Sequence, residues 1–173
     1  MINTTLCYIQ KQDKYLMLHR TKKQNDLNKD KWIGIGGKFE NCESPQDCIR
    51  REVLEETGLS LKSEKYCGIV TFVDLSGTDF FIKDGKIEKS QNQESKNTLP
   101  FTEYMHLFWS DDFTGTEKIC DEGDLEWVPI SKMNDLPHWQ GDEIFLDLIA
   151  RKVPFFSLKL VYKDSKLVFW TLN

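Results

Sequence analysis

Residues 4–9 and 14–19 are short runs crowded with β-branched, aromatic and aliphatic side chains, separated by the polar stretch Gln10-Lys11-Gln12-Asp13. This pattern predicts a β-hairpin at the start of the chain. Residues 21–31 are polar and basic, with Leu27 as their apolar member, and lead into Trp32-Ile33-Gly34-Ile35-Gly36-Gly37, which predicts a strand running into a glycine loop. Ser44 suits a helix N-cap, Pro45 the first helical position and Gly58 the residue beyond the end, so a helix is expected over 45–57. Strands are expected over 69–75, 104–110 and 125–130. Ile144, Phe145, Leu148 and Ile149 recur at helical spacing, predicting a second helix from about 140 to 152, ahead of Pro154. The remaining residues alternate as in a terminal hairpin. Residues 84–98 are too polar to support a core and predict a mobile surface loop. No repeat or linker interrupts the chain, so residues 1–173 read as one domain.

Composition narrows the class. Hydrophobic residues make up 39% and charged residues 29% of the 173, the balance of a folded globular protein. The net charge of -5 and the absence of a lysine or arginine block exclude the electrostatic footprint of a protein that binds nucleic acid polymers. A small anionic ligand remains compatible, because a few local cations or a metal outweigh a mildly negative global field. The five cysteines are odd in number and lack CxxC spacing, arguing for reduced thiols rather than disulfides or zinc. No apolar run approaches a membrane span, and no basic stretch precedes an apolar one at the N-terminus, so a cytoplasmic protein without membrane partners is expected.

The chemistry concentrates in the first helix. Glu52, Glu55 and Glu56 stand at i, i+3 and i+4, which places three carboxylates on one face. A bare triplet of this kind reads as a solvated acidic surface, since like charges at this spacing cost only about 0.2–0.5 kcal/mol per pair. A hard divalent cation resolves the same repulsion. Magnesium takes oxygen ligands and keeps several waters, so carboxylates and phosphate oxygens can share it, which is the chemistry of diphosphate cleavage. Gly34, Gly36 and Gly37 just upstream would let a backbone carbonyl approach the ion, and Arg51 could hold a carboxylate through paired hydrogen bonds.

The wider pattern decides between these readings. Gly37, Glu43, Arg51, Glu52, Val53, Glu55, Glu56, Gly58 and Leu59 match the Nudix box, Gly-x5-Glu-x7-Arg-Glu-U-x-Glu-Glu-x-Gly-U with U aliphatic, at every defined position over residues 37–59. A chance match is rarer than about one in a million at average residue frequencies. The chain therefore resembles the Nudix hydrolases. That resemblance implies an α/β (α+β) fold, an α/β/α sandwich around a mixed sheet, and hydrolysis of a nucleoside diphosphate linked to another group. Trp32-x-Gly-x-Gly-Gly-Lys38, Cys120-Asp-Glu-Gly, Trp139-Gln-Gly-Asp142 and a closing hairpin with Phe155-Phe156 and Trp170-Thr-Leu are similar to the MutT-like oxidised-purine nucleoside triphosphatases, the 8-oxo-dGTP diphosphatases.

What this second resemblance implies is specific to residues. A magnesium ion, with manganese as a substitute, would be held by Gly36, Glu52, Glu55, Glu56 and Glu122. Catalysis would draw on Arg51 and the same four glutamates, with Glu55 or Glu56 helping to deprotonate the attacking water. Trp139 would stack on the base and Asp142 would read its edge. Ile33 stands where some relatives carry a base-reading asparagine, and Gly141 where one carries a second carboxylate. Arg20, Lys23 and Lys38 are candidate phosphate contacts. The expected reaction converts a nucleoside triphosphate, such as 8-oxo-dGTP, to monophosphate and pyrophosphate, by a monomer or homodimer that sanitises the nucleotide pool. Dinucleoside polyphosphates or nucleotide sugars are the alternative substrates. A non-catalytic nucleotide sensor is disfavoured, because its box would be eroded. The glycine loop lacks the spacing of a phosphate-binding P-loop, and His19, His106 and His138 are not arranged as metal ligands in sequence.

Overall fold

A computed structural model of the chain describes residues 1–22, 27–90 and 98–173. Lys23 and residues 91–97 of the expected loop lie outside the described residues.

The first hairpin forms as the pattern predicts, from β1 (Ile2–Lys11) and β2 (Lys14–His19), and β3 (Trp32–Ile33) adds to Leu18 and His19. The helix α1 (Pro45–Thr57) follows. Beyond it come β4 (Leu59–Asp74), a hairpin of β5 (Phe80–Lys83) and β6 (Lys86–Lys89), then β7 (Phe101–Gly115) and β8 (Asp124–Pro129). A 3-10 turn over Ile130–Asp135 leads to α2 (Asp142–Ala150), and β9 (Phe156–Lys163) and β10 (Lys166–Leu172) close the chain. The large sheet runs β10-β9-β4-β7-β1-β2-β3, with β8 also paired to β2. It is mixed: β1 with β7 and β4 with β9 are parallel, and the other pairs are antiparallel.

The sheet is covered on both faces, and the alternation of side chains along each strand shows how. Cys7, Ile9, Leu16 and Leu18 pack with Ile49 and Val53 of α1. Their neighbours Tyr8, Tyr15 and Met17 point the other way and pack with Phe145, Leu148 and Ile149 of α2. One helix on each face gives the expected α/β/α sandwich.

Three boundaries differ from expectation for identifiable reasons. β4 begins at Leu59, directly after the helix, rather than at 69, because Leu59 and Ser60 already pair with Gly115 and Thr114 of β7. The register shifts three times between Leu61 and Gly68, which breaks the period-two pattern that would have revealed the strand. β7 is longer than 104–110 for the same reason. Part of the expected loop is also ordered: Asp84 and Gly85 take left-handed backbone angles (φ 48° and 73°), the signature of a two-residue hairpin turn between β5 and β6. Phe80, Ile82 and Ile87 anchor that hairpin on Val73, Leu75 and Val161.

Candidate active site

α1 is fixed at both ends. The Ser44 hydroxyl accepts from the Asp47 N–H while the Asp47 carboxylate accepts from the Ser44 N–H, a closed capping box, and Pro45 follows. At the other end Gly58 adopts the left-handed conformation at φ 76° and donates its N–H to the Leu54 carbonyl. Held this way, the helix turns Val53 into the core and presents Glu52 and Glu56 to the glycine loop, with Glu55 exposed beside them. The approach is close: a Cβ on Gly37 would fall 2.4 Å from Glu52 Oε1, so a larger residue there would displace the Glu52 carboxylate.

Arg51 organises the carboxylates. Its Nε and one terminal nitrogen donate to the two oxygens of Glu43 at 2.6 and 3.0 Å, a paired fork. The other terminal nitrogen donates to Glu52 at 2.9 Å and Glu55 at 3.1 Å, and the Lys38 carbonyl accepts at 3.1 Å. Arg51 holds the Glu43 carboxyl down at about 2, and is itself locked in the charged form chiefly by Glu43. Glu56 is the buried member, 7% exposed, and accepts a 3.3 Å hydrogen bond from the Gly36 N–H. Burial, then the charges of Glu122 and Glu52, push its carboxyl up to about 8. Glu52 is also raised, by burial first. Glu122, on the turn before β8, is ion-paired with Arg20 at the end of β2.

A cleft of about 730 Å³ connects these groups to the base-reading candidates, a size usual for small-molecule sites. Gly36, Glu52, Glu56, Glu122, Arg51, Arg20 and Lys38 line one part, and Ile33, Trp139 and Asp142 another. Glu55 does not line the cleft; its carboxylate is exposed on the rim beside Arg51. The Trp139 indole N–H donates to Asn28 Oδ1 at 2.7 Å, and the Lys31 ammonium lies 4.5 Å from its ring centre. Tyr162 and Phe72 meet the same ring edge-on. Burial pushes the Asp142 carboxyl up to about 7, opposed by the Trp139 N–H that it accepts at 3.3 Å. A side chain at position 141 would require Leu160 and Tyr162 to shift, since a Cβ there would stand 2.4 Å from Leu160 Cδ1 and 2.8 Å from the Tyr162 hydroxyl.

Sequence reasoning missed Asn28, which lies in a polar stretch with nothing to mark it, and Thr4 and Glu103, which also line the cleft. It matched Glu43 to the box without assigning it a task, although an invariant-type acid eight residues before the arginine signals the fork that forms.

Among the described residues no set of three His, Cys, Asp or Glu side chains is arranged to hold a metal ion outright. The donors nevertheless fit a hard divalent cation. They are all oxygens, and the charge of Glu122 adds to burial in raising the proton affinity of Glu52 and Glu56, a repulsion that such an ion relieves. Magnesium is ordinarily held by one or two carboxylates together with substrate phosphates rather than by an all-protein cage.

A mixed sheet between two helices, with a carboxylate-bearing helix at one end of the cleft, is an arrangement suited to binding a small anionic ligand through a divalent ion. Comparison with known proteins makes the assignment specific. Residues 2–149 match the NUDIX domain family. The chain is 30% identical over 148 residues to the uncharacterized Nudix hydrolase YvcI of Bacillus subtilis (strain 168), covering 85% of this chain and 78% of that one. It is 25% identical over 135 residues to the oxidized purine nucleoside triphosphate hydrolase of Danio rerio, covering 78% and 72%. In structure it is similar to the mutator MutT protein of Bacillus halodurans, with TM-score 0.76 and 24% identity over 100% of this chain and 98% of that one. The chain belongs to the Nudix hydrolase family. No helix among the described residues is long and apolar enough to cross a membrane.

Proposed function

We propose that this protein is a magnesium-dependent nucleoside triphosphate pyrophosphohydrolase of the cytoplasm that prefers oxidised purine nucleotides such as 8-oxo-dGTP. The observation that carries this reading is the single cleft joining the Glu52, Glu56 and Glu122 carboxylates to Trp139 and Asp142. The 25% identical zebrafish relative, named for oxidised purine triphosphates, supports the substrate class.

In this reading Glu52, Glu56 and Glu122, with the Gly36 carbonyl, would hold the metal, whereas Glu55, exposed beside Arg51 and outside the cleft lining, is not placed to join them. When bound there, magnesium, or manganese in its place, would supply neutralisation of the diphosphate charge and a lowered pKa for the attacking water. Arg51 keeps Glu52 and Glu55 in position through the fork it makes with Glu43. Of the two candidate bases, Glu56 lines the cleft and would take the proton from the water. Arg20 and Lys38 face the phosphates. Trp139 offers its ring to the base, and Asp142, with its carboxyl near neutrality, can donate as well as accept a hydrogen bond at the base edge.

Product analysis tests the substrate. With 8-oxo-dGTP and dGTP as competing substrates, the expected products are the monophosphate and pyrophosphate, formed faster from the oxidised nucleotide. Trp139→Ala should reduce that discrimination. Discrimination unchanged in Trp139→Ala contradicts the base pocket, and release of inorganic phosphate instead of pyrophosphate contradicts the reaction.

A further inference from the structure

The floor of the cleft is built by four neighbouring strands, and strand register orders its side chains. Leu160 of β9 stands opposite Phe72 of β4, Phe72 opposite Glu103 of β7, and Glu103 opposite Ile2 of β1. The next cleft-facing row contains Val70, Met105 and Thr4. Among the described residues that these strands contribute to the cleft, Glu103 is the one charged side chain. It is half-buried, and the Thr4 hydroxyl donates to its Oε1 at 2.6 Å.

A carboxylate set among aliphatic and aromatic neighbours costs stability unless its acceptor sites are used. It has about four such sites, and the Thr4 hydroxyl fills one. Thr4 also fixes the orientation of the carboxylate. Glu103 is paired across the sheet with Phe72, whose ring meets Trp139 at a centroid distance of 6.2 Å, and all three residues line the same cleft.

We propose that Glu103, oriented by Thr4, is a specificity-determining residue that accepts hydrogen bonds from the N–H edge of a guanine-type base. The inference rests on the base-pocket reading above and sharpens it. Guanine and 8-oxoguanine present a ring N–H next to an amino group, two adjacent donors that match one carboxylate. Adenine presents an unprotonated ring nitrogen at that position, whose lone pair faces the carboxylate oxygens and repels them. Hypoxanthine keeps the ring N–H and lacks the amino group.

Binding of dGMP, dIMP and dAMP to the full chain, followed by tryptophan fluorescence, tests this without turnover. The wild type should bind dGMP best and dAMP worst. The isosteric Glu103→Gln should weaken dGMP at least about tenfold, dIMP less, and dAMP not at all, and Thr4→Val should move in the same direction. In turnover of the triphosphates the loss should appear in KM with kcat retained. Equal changes for all three bases, or none, would overturn the assignment and leave Glu103 a structural residue. Binding of the bases in the expected order without triphosphate hydrolysis would support Glu103 and contradict the proposed activity. Absence of purine nucleotide binding in the wild type would overturn both.

Discussion

Arg51 shows how much one residue can set. Its guanidinium meets Glu43, Glu52, Glu55 and the Lys38 carbonyl at once, a geometry that lysine, with a single nitrogen, cannot reproduce. Arg51→Lys should therefore keep the charge and lose the alignment, lowering kcat on the order of 100-fold. Retention of kcat within twofold would show that the fork does not position the carboxylates. Asp142 makes a different prediction. Its folded carboxyl, near 7, binds a proton more tightly than the ordinary value of about 3.9 in an unfolded chain. The resulting contribution to stability is fully present below about pH 4 and is lost as pH rises through about 7. The melting temperature of Asp142→Asn should rise relative to wild type between pH 5 and 8; a difference constant with pH contradicts the shift. The arginine and its acids were legible from residue spacing. The Asp142 environment was not, because burial comes from Tyr162, Trp139 and α2, which are brought together by the sheet.

At the level of elements, α1 was the most legible part of the chain because its start and stop are written in local chemistry: Ser44 and Asp47 close one end, Pro45 follows the cap, and Gly58 turns the chain at the other. Ser44→Ala should cost about 1 kcal/mol. Gly58→Ala should cost about 1–2 kcal/mol from backbone conformation alone, and more because a Cβ there would stand 2.7 Å from the Thr116 carbonyl. Urea unfolding midpoints measure both, and an unchanged midpoint for Gly58→Ala would contradict the left-handed cap. β4 was only half legible. Its first half holds Lys62, Ser63, Glu64 and Lys65, and it is a strand because β7 pairs with it through three register shifts. Local preference carries no trace of such a partner.

The whole molecule makes one cleft from parts far apart in sequence. Parallel pairing of β1 with β7 brings Thr4 to Glu103, β2 and the turn before β8 bring Arg20 to Glu122, and α2 sets Asp142 above the sheet. The box alone supports metal and diphosphate chemistry, since its residues are contiguous on one helix and loop. The base end was less legible because it is assembled by topology: Asn28 and Glu103 take their places from strand order and from the indole of Trp139. In the proposed function, diphosphate cleavage requires magnesium held at the buried carboxylate end of this cleft. This requirement is tested most directly by pyrophosphate release from a purine triphosphate across a magnesium titration, with wild type and Glu56→Gln compared side by side. The account predicts no turnover by wild type without a divalent ion, saturable activation by magnesium, and a loss of at least about 100-fold in Glu56→Gln. Equal turnover by the two proteins, or turnover independent of magnesium, would contradict it.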